Sequence, residues 1–85
     1  MEVRLPIVGT SDFVSVTKDS DGYINSLHRE SGTGFATWSA TAPSDHTSWV
    51  SASMLDGELW VSTFDGWRMR LDLDTGEVVE RHFTK

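Results

Sequence analysis

Cysteine, long apolar runs and a leader-like start are all missing from this sequence. Without cysteine, disulfide bonds and thiolate metal sites are excluded, and an intracellular compartment is favoured over a secreted one. No apolar run approaches the roughly 18 residues that cross a bilayer, and the first residues lack a basic segment followed by an apolar one. We therefore expect a cytoplasmic protein that makes no membrane contact.

Basic residues are also scarce. Seven Lys and Arg stand against 13 Asp and Glu, which gives a formal net charge of -6. No segment concentrates Lys and Arg as a phosphate-binding surface does, so we expect no direct contact with DNA or RNA. The negative field favours a basic protein partner instead, through faster encounter and charge complementarity.

The signatures of common enzymes are absent as well. His28, His46 and His82 are far apart in sequence, and none forms a two-histidine metal-ligand spacing. The run Ser44-Asp45-His46 holds a nucleophile, an acid and a base, but triad members converge from separate segments. No nucleophile elbow or phosphate-binding glycine loop occurs. We predict no catalytic residue, no metal and no cofactor; a general-base role for one histidine is the least favoured hypothesis.

Two short runs pair carboxylates beside a glycine, at residues 19–22 and 72–76. Some loops present oxygen ligands to calcium in this way, but neither run has the glycine and glutamate positions of an EF-hand. Because Asp and Gly are also the residues that tight turns select, we predict hairpin turns at both places.

Alternation of apolar and polar residues with period two dominates the rest of the chain, and it predicts half-buried strands. In residues 67–73 it places Trp67, Met69, Leu71 and Leu73 on a core face, with Arg68, Arg70 and Asp72 facing water. Strands are predicted at residues 3–8, 13–17, 23–28, 35–40, 49–55, 58–64, 67–73 and 78–83.

Pairs that favour positive φ separate these strands, as tight hairpins require. The pairs are Asp21-Gly22, Ser31-Gly32, Asp56-Gly57, Asp65-Gly66 and Thr75-Gly76. No segment has the spacing and caps of a helix. The prediction is a single all-β domain over residues 1–85, with about eight short antiparallel strands in hairpins.

The two halves of the chain repeat each other at an offset of 44 residues. Asp21-Gly22-Tyr23 with Leu27 corresponds to Asp65-Gly66-Trp67 with Leu71. Each half therefore forms one four-strand unit, and a period of roughly 40 to 45 residues with four strands is the size of a propeller blade.

The segment from Asp56 to Phe83 resembles a blade of the quinoprotein-like β-propeller repeats, mainly through Asp56-Gly57-Glu58-Leu59-Trp60 and Leu71-Asp72-Leu73-Asp74-Thr75-Gly76. The first half fits the pattern poorly, and no quinoprotein cofactor site carries over. A closed propeller has about four to eight blades. Two blades therefore imply either a self-contained compact barrel or curved sheet, which we favour, or a ring closed by oligomerisation.

The four tryptophans are Trp38, Trp49, Trp60 and Trp67, and core packing is the default role of each. Alternation places Trp60 and Phe64 on the opposite strand face from Leu59 and Val61. We therefore expect Trp60 to be exposed, and Trp49, which follows a polar loop, is the second candidate for exposure.

These features favour a non-enzymatic binding protein, of the small acidic inhibitor kind that immunity proteins and antitoxins represent. Its partner is expected to be a basic toxin or enzyme, bound by carboxylates around a Trp anchor. The predicted partner-binding residues are Trp49, Trp60, Asp65, Trp67, Asp72 and Asp74. The wider set of second-half carboxylates adds Asp45, Asp56, Glu58, Glu77 and Glu80. The alternative is a lectin-like carbohydrate-binding module of an oligomeric propeller.

Overall fold

The computed structural model describes residues 2–41 and 49–83, and every regular element within these ranges is a β-strand. The strands are β1 (Glu2–Pro6), β2 (Phe13–Lys18), β3 (Ile24–Glu30), β4 (Ala36–Ala40), β5 (Trp49–Leu55), β6 (Glu58–Thr63), β7 (Trp67–Leu71) and β8 (Val78–Phe83). Each predicted strand is confirmed, with bounds that agree within two residues. Within the described ranges, no helix has the length and hydropathy needed to cross a membrane.

The strands form two four-stranded antiparallel sheets in chain order, β1-β2-β3-β4 and β5-β6-β7-β8. The predicted pair of four-strand repeats is therefore confirmed. The chain divides into two separate sheets in place of one barrel or one curved sheet. In such a meander, successive loops alternate between the two ends of the sheet.

The β5–β6 hairpin shows how the turn residues set the register. Asp56 (φ 51°) and Gly57 (φ 79°) both take positive φ, as a two-residue type I′ hairpin requires. In the β3–β4 loop the expected pair, Ser31-Gly32, does not supply this angle. Gly34 takes it instead, at φ 98°, while Gly32 packs closely against Ser11.

One core lies between the two sheets. Val14 from β2, Leu59 from β6 and Met69 from β7 are fully buried in it. The other buried hydrophobic residues are Ile7, Val16, Ile24, Leu27, Trp38, Trp49, Val61 and Leu71. Trp67 and Leu73 pack against this cluster, which confirms the core face predicted for residues 67–73.

Polar contacts fasten the β7–β8 loop, residues 72–77, to the first sheet. The indole Nε1–H of Trp38 donates to the backbone carbonyl of Leu73 at 2.7 Å, and Arg29 Nη1 donates to the same oxygen at 2.8 Å. Arg29 also pairs with Asp12 at 2.8 Å. Because Trp38 and Asp12 lie near the β3–β4 and β1–β2 loops, these contacts bring loops of both sheets to one end of the molecule.

Candidate functional site

Four loops gather at this end of the molecule, at residues 7–12, 31–35, 56–57 and 72–77. We term them the loop end. The loops at 19–23 and 64–66 lie at the opposite end of the sheets, one strand length away, or about 20 Å. The two sheets therefore present a composite surface of four loops at one end.

The loop end is strongly acidic. Its four described loops contain five carboxylates and no lysine or arginine. The carboxylates are Asp12, Asp56, Asp72, Asp74 and Glu77. Arg29 reaches in from β3 and pairs with Asp12 at 2.8 Å and with Asp74 at 3.6 Å. The Arg29 side chain is only 15% exposed. It therefore neutralises part of the negative charge from below the surface, and the solvent-facing surface stays negative.

The same four loops also carry exposed apolar side chains. Val8 is 83% exposed and Phe35 is 75% exposed, which makes them the most exposed large hydrophobic residues of the described chain. Their loops touch each other, because a Cβ on Gly32 would lie 3.1 Å from the carbonyl oxygen of Ser11. An acidic surface with an exposed aromatic ring has the composition of a protein-binding patch.

Internal hydrogen bonds order the backbone of the two loops that carry these apolar side chains. The Phe35 N–H donates to Ser31 Oγ at 3.0 Å, while the Ser31 N–H donates back to the Phe35 carbonyl at 2.7 Å. In the other loop, Thr10 Oγ1 donates to the carbonyl of Ile7, next to Val8, at 2.9 Å. Loops ordered before binding lose less conformational entropy when a partner docks.

A shallow depression of about 180 Å³ lies beside the loop end. It is lined by Gly57, Glu58, Arg70, Leu71, Asp72 and Leu73. Small-molecule sites usually enclose about 300–1,000 Å³. The depression is smaller and open, so this part of the surface is better suited to contact with another macromolecule than to enclosing a ligand.

The outward side of the second sheet forms a different surface, centred on Trp60. Residues that are register partners lie on the same side of a sheet. The outward side of the second sheet therefore comprises Ser51, Ser53, Leu55, Glu58, Trp60, Ser62, Arg68, Arg70, Glu80 and His82. We term it the Trp60 face. Trp60 lies on the outward face, as alternation predicts, since Leu59 and Val61 are buried on the other side. It is half-buried, however, and not exposed as expected.

Contacts among these side chains order the Trp60 face. The Arg68 guanidinium lies 5.0 Å from the centre of the Trp60 ring, and the His82 ring lies 5.9 Å from it. Arg70 pairs with Glu80 at 3.0 Å and with Glu58 at 3.6 Å. The hydrogen bond from His82, and then that from Arg70, lowers the pKa of Glu80 below its ordinary value.

The predicted partner-binding residues do not converge on one surface. Asp72 and Asp74 lie at the loop end, and Trp60 lies on the sheet face. Asp65 belongs to the 64–66 loop at the opposite end, and Trp67 packs against the core with its ring 5.2 Å from that of Phe83. Asp45, within the run Ser44-Asp45-His46, falls outside the described residues.

The expected exposure of Trp49 is wrong, because this side chain is only 1% exposed. A register shift between Trp49 and Ser51 leaves Val50 without an opposite residue on β6. The extra residue turns Trp49 to the core side, beside its register partner Thr63, although Ser51 and Ser53 face outward. Its Nε1–H has no hydrogen-bond partner among the described residues.

The two histidines that the structure describes, His28 and His82, do not lie together. His28 lies 3.5 Å from Glu30 on the first sheet, whereas His82 contacts Glu80 on the second. Across residues 2–41 and 49–83, no three His, Asp or Glu side chains are placed to hold a metal ion. Ser15 is the register partner of His28, but its buried Oγ donates to Glu2 at 2.8 Å.

Fold and surface together define a class: an all-β protein of two packed meander sheets that presents an acidic, partly apolar loop end. The chain matches no protein family model, no curated protein and no solved structure. The resemblance of residues 56–83 to a propeller blade therefore stays a prediction.

Proposed function

We propose that this protein is a non-enzymatic binding protein whose loop end docks onto a basic protein partner. The observation that carries the proposal is the composition of the loop end, whose four loops contain five carboxylates and the exposed side chains of Val8 and Phe35 without any lysine or arginine. Apolar anchors supply binding energy, and complementary charge selects the partner and speeds encounter.

The finer form of the proposal is an inhibitor of the immunity-protein or antitoxin kind, acting in the cytoplasm. A basic enzyme that acts on nucleic acid has cationic groups in its active site, and the carboxylates of Asp56, Asp74 and Glu77 are suited to pair with them in place of phosphates. The net charge of -6 adds long-range attraction to such a partner.

The carbohydrate-binding alternative has less support. It needs a free tryptophan ring for a sugar to stack on, but Arg68 already lies against the ring of Trp60. The ring of Trp67, another predicted binding residue, is packed against the core and Phe83. The loop end, where Phe35 is 75% exposed, is the stronger candidate surface.

The test begins with affinity capture on the immobilised protein, followed by titration of the purified captured protein. We expect a basic protein whose affinity falls at least tenfold when Val8 and Phe35 are both replaced by Ser. The matched control is Phe64→Ser, which removes an aromatic ring of similar exposure, 70%, from the opposite end. Equal loss in both variants, or no loss in either, would exclude the loop end.

Charge is tested separately. Asp74→Asn with Glu77→Gln should weaken binding several-fold and reduce its salt dependence, because surface ion pairs are screened by salt. Asp21→Asn, at the opposite end, is the control and should change little. Inhibition of an activity of the captured partner supports the finer proposal; binding without inhibition leaves only a docking role.

A further inference from the structure

The Trp60 face differs in charge from the rest of the molecule. It carries Arg68 and Arg70 together with Glu58 and Glu80, so its formal charges cancel when His82 is neutral. The chain as a whole carries a net charge of -6, and all of this excess negative charge lies on residues outside the Trp60 face. The face therefore has no net charge that would attract a basic partner. It is suited to a partner surface on which positive and negative groups are also equal in number.

We infer that the Trp60 face is a homodimer interface at which two copies of this chain meet face to face. Two acidic copies repel each other over most orientations, and this face is where they can approach without like charges in contact. A two-fold interface must also be self-complementary, because the same surface is used twice. A mosaic of arginine and glutamate around one tryptophan meets this requirement.

The register of the strands places charged and aromatic side chains at the same position along the strand direction. Arg70 and Glu80 are register partners on β7 and β8, and Arg68 is likewise the partner of His82. A two-fold axis parallel to the strands and between β6 and β7 overlaps all four strands of both copies. It sets Arg70 of each copy opposite Trp60 of the other, because these two residues are register partners. Tryptophan and arginine are the residues that most often dominate interface energy.

The size of the face sets the expected strength. Four strands at about 4.8 Å spacing and about six residues at about 3.3 Å each give a face roughly 15–20 Å on a side. That is at the small end of specific interfaces, so the dimer should be weak and transient. The Trp60 face shares no residue with the four loops of the loop end, although the two surfaces adjoin at the depression. The inference stands independently of the proposed function.

The experiment is sedimentation velocity of the full chain from about 10 µM to 1 mM. We expect a reversible monomer–dimer equilibrium that Trp60→Ser weakens at least tenfold and that Phe64→Ser leaves unchanged. A monomer at every concentration overturns the inference. So does a trimer, which instead supports ring closure, or a dimer that Trp60→Ser does not affect.

Charge exchange provides a second test that does not depend on the tryptophan. A variant with Glu58→Arg and Glu80→Arg has a uniformly basic face, and one with Arg68→Glu and Arg70→Glu has a uniformly acidic face. Each should be monomeric alone, and an equimolar mixture should form the heterodimer. Failure of the folded variants to associate when mixed overturns the inference.

Discussion

Trp38 and Leu73 join the two sheets: the indole Nε1–H of Trp38 donates to the backbone carbonyl of Leu73 at 2.7 Å. Arg29 shares the same acceptor at 2.8 Å and continues to Asp12. One main-chain oxygen thus receives donors from two strands of the first sheet. This convergence fixes the β7–β8 loop, and with it Asp72 and Asp74, relative to the loops that carry Val8 and Phe35.

Replacing Trp38 by Phe removes the indole donor and keeps most of the apolar ring. We expect the free energy of unfolding to fall by about 1–2 kcal/mol, since one buried hydrogen bond is lost and Arg29 still satisfies the carbonyl. Urea unfolding followed by circular dichroism measures the change. Trp60→Phe is the control and should cost less, because the indole of Trp60 lies on the outward face. Equal costs would contradict a joining role for Trp38.

Gly76 is expected to tolerate no side chain. It has φ +77°, and a Cβ there would lie 2.5 Å from a carbon of the Trp38 ring. Gly57 has nearly the same angle, φ +79°, but a Cβ there would have no other atom within 4 Å. Gly57→Ala should therefore cost about 1–2 kcal/mol from the backbone alone.

Gly76→Ala should exceed that cost by a further 1–3 kcal/mol or so, because the β7–β8 loop must move away from Trp38. The difference between the two urea midpoints isolates the contact between the sheets. If both substitutions cost the same, the ring of Trp38 does not lie against Gly76 in solution.

The strands were predictable because alternation and turn residues are local signals. Residues 67–73 show the period directly, and Asp56-Gly57 marks a hairpin on its own. The outward position of Trp60 followed from the same alternation. Asp72 and Asp74 could also be recognised as surface turn carboxylates from sequence.

The side of the sheet on which a residue lies was not predictable where the pairing between two strands shifts. Ile24 and Leu27 are both buried although they are three residues apart, because the pairing shifts between Thr17 and Lys18. The shift after Trp49 likewise reverses the side that alternation indicates. A bulge depends on how two strands meet, so the sequence of one strand does not reveal it.

The loop end was missed for a related reason. Val8 and Phe35 are ordinary apolar residues in sequence, and Phe35 reads as part of a strand. What makes them a candidate site is that their loops meet each other and the β7–β8 loop. That meeting depends on a side chain binding a main-chain oxygen 35 residues away, for which no sequence pattern exists.

Substitutions in the loop end should leave stability almost unchanged. Val8 and Phe35 are 83% and 75% exposed, so their replacement by Ser removes little buried surface. We expect changes within about 0.5 kcal/mol for each. Leu59→Ala, at a position with no exposure, should cost about 2–5 kcal/mol in the same urea assay. A large loss from Phe35→Ser would indicate that this ring is packed in solution and is not a binding anchor.

The ionisation of Glu80 should report the order of the Trp60 face. Its pKa is lowered first by the hydrogen bond from His82 and then by that from Arg70, while burial acts in the other direction. A lowered pKa in the folded state means that Glu80 stabilises the fold above the ordinary glutamate value of about 4.3. That contribution is lost as the pH falls through the lowered pKa.

Side-chain carboxyl titration by NMR measures this pKa directly. His82→Ala should raise the pKa of Glu80 toward its ordinary value, and Arg70→Met should raise it by less, because the His82 bond is the larger cause. Arg4→Met, which removes a cation from the first sheet, is the control and should leave it unchanged. An unaltered titration in His82→Ala would show that the His82–Glu80 contact does not persist in solution, and the Trp60 face would then be less ordered than its contacts indicate.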